Sequence, residues 1–168
     1  MGHDLDFERV ALMYGRAPAR LAAAYEPDTH EREDLVQDIL FALWRALPSF
    51  RGECSERTFV YRVAHNRALT HRRRERQRGE GLQLAEAVAD PRADPFERAE
   101  AVQRRDYLLD TVRRLPPAYR QVVALRLEDL SNGEIAEVLG VNENTVAIRL
   151  TRARKALAEL MHEEWSNA

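Results

Sequence analysis

Two groups of residues in this 168-residue chain have types and spacing suited to chemistry with a polyanion. One is Arg72, Arg73 and Arg74, followed by Arg76 and Arg78; the other is Arg149, Arg152, Arg154 and Lys155. The guanidinium fork matches phosphate oxygens and the edge of guanine in a bidentate way, which a point charge does not. Lys155 is the only lysine, and a GC-rich genome would produce the same arginine bias, so bias alone decides nothing. Ahead of the first group, Phe50, Phe59 and Tyr61 alternate with Arg51, Arg57, Arg62 and Arg67. Aromatics interleaved with bases suit single-stranded DNA, where each base stacked on a ring gains roughly 1–3 kcal/mol. Core packing is the other reading of these rings, favoured for Phe59 and evenly balanced for Tyr61.

Covalent chemistry finds less support. No phosphate-cradling glycine loop, nucleophile motif or metal-ligand cluster occurs in the sequence. Asp34 and Asp38 stand one helical turn apart, the usual arrangement of solvated acids. Cys54 is the only cysteine, so neither an internal disulfide nor a paired-cysteine zinc site can form. The expectation is a non-enzymatic protein with no metal, no cofactor and no small-molecule substrate. The formal net charge of −2 hides a segregated pattern. Acids outnumber bases over 1–48, bases dominate 49–78, acids return over 79–100, and bases return over 149–155. Two separated basic blocks on an otherwise acidic chain predict two contact points on nucleic acid. No apolar run is long enough to span a bilayer, and residues 1–9 lack the basic and apolar parts of a secretory signal. Membrane insertion is not expected, and the expected location is the cytoplasm.

Helices must position these groups, because no alternating strand pattern is sustained anywhere. Apolar residues at helical intervals predict one helix over about 7–24 (Val10, Leu12, Met13, Ala17, Leu21), broken at Glu26-Pro27-Asp28. A second runs over about 31–46, with Leu35, Ile39, Ala42, Leu43 and Ala46 on one face. A third runs over about 56–76 with Ser55 as its N-cap. Residues 79–95 hold two glycines, two prolines and several acids, and read as a linker. Beyond it a helix over 96–115 stops at Pro116-Pro117, another covers about 118–130, and two shorter ones complete the chain. The predicted fold class is all-α: two small helical domains, 1–78 and 97–168, joined by a flexible acidic linker, 79–96.

The sharpest local pattern lies in the last two helices. Ser131-Asn132-Gly133-Glu134 has the form of a capping box, Ile135, Ala136, Val138 and Leu139 supply an apolar face, and Gly140 supplies a left-handed stop. Asn142 caps the next helix, on which Val146, Leu150, Ala153 and Leu157 form a narrow stripe. Asn144, Ala147, Ile148, Thr151 and Lys155 then point away from it. This is the pattern of a helix-turn-helix whose second helix enters a DNA major groove. Asn144, Thr145, Arg149 and Arg152 are the candidates for base contacts, and Arg154 and Lys155 for phosphates. Ile148 either meets a thymine methyl, packs on a partner or is simply exposed.

A helix-turn-helix is shared by repressors and other regulators. The N-terminal half separates the classes, because there the sequence resembles the extracytoplasmic-function (ECF) group of bacterial sigma factors. Three stretches carry the resemblance. Asp34-Leu35-Val36-Gln37-Asp38-Ile39-Leu40 with Leu43-Trp44-Arg45 resembles the family's polymerase-binding helix. Pro48-Ser49-Phe50-Arg51-Gly52, then Phe59 to Asn66, then Arg72-Arg73-Arg74, resembles its segment for reading and melting the −10 element. Leu115-Pro116-Pro117 through Leu157 resembles its −35 domain. The resemblance implies core RNA polymerase and promoter DNA as partners, and often an anti-sigma protein covering both domains. It implies polymerase contacts at Asp34, Leu35, Gln37, Asp38, Phe41 and Trp44; the residues alone favour Trp44 as core and the acids as a solvated face. It implies −10 contacts at Arg51, Phe59, Tyr61, Arg62, His65, Asn66, Arg67, Arg72, Arg73 and Arg74, with the loop 51–56 forming a pocket for a flipped base. It implies −35 contacts at Asn144, Thr145, Ala147, Ile148, Arg149, Arg152, Arg154 and Lys155. Phe59 stands where the family usually has tryptophan, Thr70 where it has aspartate, and Ala147 and Ile148 where it commonly has lysine and serine.

Overall fold

The computed structural model describes residues 6–78 and 95–166, with side chains over 6–74 and 100–162. Among them the regular elements are all helical: α1 (Phe7–Tyr14), α2 (Ala17–Tyr25), α3 (Thr29–Ala46), a 3-10 turn (Leu47–Ser49), α4 (Glu56–Arg78), α5 (Pro95–Arg114), α6 (Pro117–Arg126), α7 (Asn132–Leu139) and α8 (Glu143–Ser166). The all-α class is as expected. The tether expected over 79–96 falls largely on 79–94, which lie outside the described residues.

The single helix expected over 7–24 is two. Pro18 has no amide proton, and its ring would clash with the carbonyl of Tyr14 if one helix ran through. The chain instead turns at Gly15 and Arg16 and restarts with Pro18 in the first turn of α2. The expected break at Glu26-Pro27-Asp28 is a capped junction. Asp28 accepts from the amides of His30 and Glu31 at 2.9 and 3.0 Å, satisfying donors that a helix start leaves free. Arg32 reaches back to the carbonyls of Glu26 and Pro27 at 3.0 and 2.7 Å. Ser55 caps α4 as expected, accepting from the Thr58 amide at 3.0 Å. Helix α6 ends earlier than expected, at Arg126, and the chain then turns through Asp129, which takes a positive φ of 58°.

The N-terminal core lies where α2, α3 and α4 meet, around Leu21, Tyr25, Leu35, Ile39, Leu43, Val60, Ala64 and Ala68. The C-terminal core gathers Val112, Leu115, Val122, Leu125, Leu130, Ile135, Val146 and Ala153 from α5 to α8. The halves also pack on each other, α2 against α5 and α6, and α4 against α7.

His65 sits in the first core. It is 1% exposed, and its Nδ1 lies 3.2 Å from the Tyr25 hydroxyl. Burial pushes its pKa down from 6.5 to about 4. Above pH 6.5 both folded and unfolded chains hold it neutral. Below that the unfolded chain takes up a proton that the folded chain refuses, so stability falls as pH drops from 6.5 towards 4, by up to about 3 kcal/mol. Urea midpoints measured between pH 7 and 4.5 should fall accordingly, and His65→Gln should flatten that part of the profile.

Candidate nucleic-acid interface

The helix-turn-helix is built as its sequence predicts. Ser131 Oγ accepts from the Glu134 amide at 3.2 Å, and Glu134 accepts from the Ser131 amide at 2.7 Å, so the capping box is reciprocal. That bond also holds the Glu134 carboxyl below its ordinary pKa. Gly140 takes φ +66°, and the Val141 amide closes back on the Ala136 carbonyl at 3.0 Å. A Cβ at Gly140 would meet nothing within 4 Å, so Gly140→Ala isolates the backbone cost of the left-handed turn, about 1–2 kcal/mol; thermal or urea unfolding should show that loss. Asn142 accepts from the Thr145 amide at 2.7 Å, starting α8. Val146, Leu150 and Ala153 are buried and Leu157 half-buried. Asn144, Ile148, Thr151, Arg152, Arg154 and Lys155 are exposed, while Thr145, Ala147 and Arg149 are half-buried at the edge of that face. Ile148 is 43% exposed. It is a branched apolar side chain in the middle of a polar, basic face.

Helix α3 offers a second surface. Phe41 and Trp44 are each 56% exposed. Their rings stack, 5.8 Å between centroids and 26° between planes, and the Arg45 guanidinium lies 5.9 Å from the centre of the Phe41 ring. Asp34 and Gln37 are exposed beside them. Asp38 is half-buried and accepts from Arg67 at 2.7 Å. Trp44 is therefore not core, which settles the alternative left open by the sequence. Leu35, expected at the polymerase contact, is wholly buried. It shares a stripe with Ile39 and Leu43, so its role is to anchor α3 rather than to touch a partner.

The third surface is the start of α4 and the loop before it. Phe59 packs on Phe50, 4.9 Å between centroids. Both rings line a pocket of about 280 Å³ with Ser49, Arg51, Glu53, Cys54 and Arg62. Asn66, Arg73 and Arg74 are exposed on α4 and Arg72 is half-buried. Two residues of the expected set lie elsewhere. His65 is inside the core, because residues 61, 64, 65 and 68 form the buried stripe of α4. Tyr61 is 4% exposed and donates to Glu128 of the C-terminal half at 2.8 Å, which together with burial raises its pKa. Arg62 donates to the Glu137 carbonyl at 3.1 Å and Arg67 is held by Asp38. Sequence reasoning missed Arg45 as the partner of the Phe41 ring; the spacing Phe41, Trp44, Arg45 at i, i+3, i+4 carries the signal for it.

With these surfaces in view, comparison with known proteins is decisive. Residues 11–78 match the family model for Sigma-70 region 2, and residues 105–157 match that for Sigma-70 region 4. The ECF RNA polymerase sigma factor SigM of Mycobacterium tuberculosis is 32% identical over 157 residues, covering 92% of this chain and 76% of SigM. The chain belongs to the ECF group of RNA polymerase sigma factors. Sigma-H of Pseudomonas aeruginosa is likewise 30% identical over 161 residues, covering 90% of this sigma factor and 83% of its relative. A solved structure of CnrH in complex with the cytosolic domain of CnrY covers 94% of the chain and is itself covered to 88%, with 25% identity and a TM-score of 0.67. As a sigma factor, the protein directs core RNA polymerase to promoters in transcription initiation. The family consists of initiation factors rather than enzymes. No described helix is long and apolar enough to cross a membrane.

Proposed function

We propose a division of labour along the chain. Residues 1–78 bind core polymerase and the −10 element, 79–96 form the tether, and 97–168 bind the −35 element. The observation that carries this reading is the segregation of surfaces. An exposed stacked aromatic pair flanked by Asp34 and Gln37 lies on α3, a phenylalanine-lined pocket rimmed by Arg51 and Arg62 precedes α4, and a basic recognition face lies on α8.

Phe41, Trp44, Asp34 and Gln37 dock on a basic helical surface of the polymerase, burying aromatic area in the centre and placing polar groups at the rim. Opening the duplex costs a few kcal/mol per extruded base. The pocket of Phe50 and Phe59 offsets that cost by stacking a base against the rings, while Arg51, Arg73 and Arg74 hold phosphates. On α8, Asn144, Arg149 and Arg152 meet base edges, Ile148 meets a thymine methyl, and Arg154 and Lys155 fix the register on phosphates. The protein has no catalytic residues of its own and acts in the cytoplasm, where the polymerase is. CnrH is a sigma factor solved with the cytosolic domain of another protein, CnrY. A protein partner, an anti-sigma factor as the resemblance to the ECF group implies, is proposed for this chain too.

Adding the purified chain to sigma-free core polymerase should yield transcripts starting at discrete promoters. Initiation from random sites or none at all, with both proteins folded, would contradict the reading.

A further inference from the structure

An acid stands at the mouth of the helix-turn-helix, on the part of the recognition helix that meets base edges. Glu143 is the first residue of α8 and is exposed, and the N-terminal residues of a recognition helix are the ones that reach into the groove. Its side chain leans across the turn onto α7. A Cβ at Gly133 would come 3.2 Å from Glu143 Oε1 and 3.6 Å from its Cδ. The carboxylate therefore fills space that any other residue at 133 would claim, and its second oxygen lies further off. The usual duties of an acid at a helix start are already taken. Asn142 accepts from the Thr145 amide at the start of α8, and Ser131 and Glu134 cap each other at the start of α7. Ala147, one turn along the same side of α8, ends in a methyl and offers no counter-charge. Among the described residues, no hydrogen bond or ion pair holds the Glu143 carboxylate.

Physical chemistry narrows what such a carboxylate can do. Phosphates repel an unpaired acid, so on a DNA-facing helix it weakens binding unless it accepts from a donor on the DNA. An ionised carboxylate is acceptor-only. In the major groove the donors on base edges are the N4 amino group of cytosine and the N6 amino group of adenine. Adenine places its N7 acceptor beside that amino group, where it opposes a carboxylate, and cytosine places a carbon there. Guanine shows two acceptors, and thymine an acceptor and a methyl. Cytosine is thus the base whose edge suits Glu143. Packing on Gly133 restricts the side chain before DNA arrives, which lowers the entropy lost when the bond forms.

We infer that Glu143, seated on Gly133, is a specificity residue of the −35 contact and accepts a hydrogen bond from the N4 amino group of a cytosine. This rests on the proposed role of α8 as the −35 reader. Glu143 lies outside the set of contacts expected from the sequence and is the only acid of α8 before Glu159. It reads a base that the arginines of the same face, which only donate, cannot select.

The test reconstitutes holoenzyme with the full chain and selects bound DNA from a duplex pool. The pool is built on a promoter that co-purifies with the holoenzyme, with its upstream element randomised. The parent should favour cytosine at one position by about tenfold. Glu143→Gln has the same shape, and its amide can pair with both N6 and N7 of adenine, so preference at that position should move from cytosine to adenine. Glu143→Ala should leave the chain indifferent to the base there. Every other position should keep the parent's preference, and the exposed side chain makes both substitutions harmless to the fold. The inference is overturned if the parent selects cytosine nowhere in the element, or if both variants keep the parent's cytosine. It is overturned equally if the variants bind every sequence more tightly by one factor, the mark of a solvated acid that only repels phosphate. Preferences that fade at several positions together also overturn it, because α8 has then shifted as a whole. A holoenzyme that selects no upstream sequence at all strikes the −35 role of α8 and this inference with it. A parent whose upstream preference survives both substitutions strikes Glu143 alone.

Discussion

Replacing both Phe41 and Trp44 with alanine should weaken association with core polymerase about a hundredfold or more. Buried aromatic anchors at interface centres are worth 2 kcal/mol or more each when truncated, and about 1.4 kcal/mol corresponds to a factor of ten. The folded chain should hardly notice, because both rings are more than half exposed when it is free and exposed side chains contribute little to stability. Leu35→Ala is the contrasting variant. It leaves a cavity under α3 and should cost about 2–5 kcal/mol of folding stability, lowering polymerase binding only by lowering the folded fraction. Binding measured by biolayer interferometry, with urea unfolding alongside, separates a lost contact from a lost fold. Equal affinity for the double variant and the parent would remove α3 from the interface.

The second large effect belongs to α8. Arg154 and Lys155 are exposed beside the recognition face. Each phosphate contact releases counterions and contributes roughly −0.9 to the slope of log affinity against log salt, or about fivefold in affinity at 0.15 M salt. The double alanine variant should bind promoter duplex, as holoenzyme, about thirtyfold more weakly, with a slope shallower by about 1.8. Its preference among promoter sequences should survive, because phosphate contacts position and base contacts specify. Ile148→Ala is the converse, with an unchanged salt slope and weaker discrimination at one thymine. A double variant that keeps the parent's salt slope would place the basic face away from DNA.

Much of this was legible from local chemistry. Ser131, Glu134, Gly140 and Asn142 each have one physical job in a helix-turn-helix, so their spacing alone defines α7 and the start of α8. The stripe Leu35, Ile39, Leu43 shows which face of α3 is buried, although it places Leu35 inside rather than at the partner surface. Pro18 split a helix whose apolar periodicity ran straight through it, because periodicity reports faces and not backbone donors. Helix α4 defeated the periodic reading for another reason. It packs against α2 and α3 on one side and α7 on another, and partners on two sides bury more of a helix than one face. His65, expected at the DNA, and Tyr61, evenly balanced between core and DNA, are both buried in the structure. The Arg20–Glu128 pair spans 108 positions, and no local pattern announces a partner at that distance.

The most direct measurement is permanganate and nuclease footprinting of polymerase reconstituted with this chain, on DNA that co-purifies with the holoenzyme. The account predicts reactive, unpaired thymines in a downstream segment together with protection of a separate upstream duplex segment, both lost when the chain is omitted. Protection of a duplex by the chain alone, with no unpaired thymines when polymerase is added, would contradict it and leave a simple operator-binding protein.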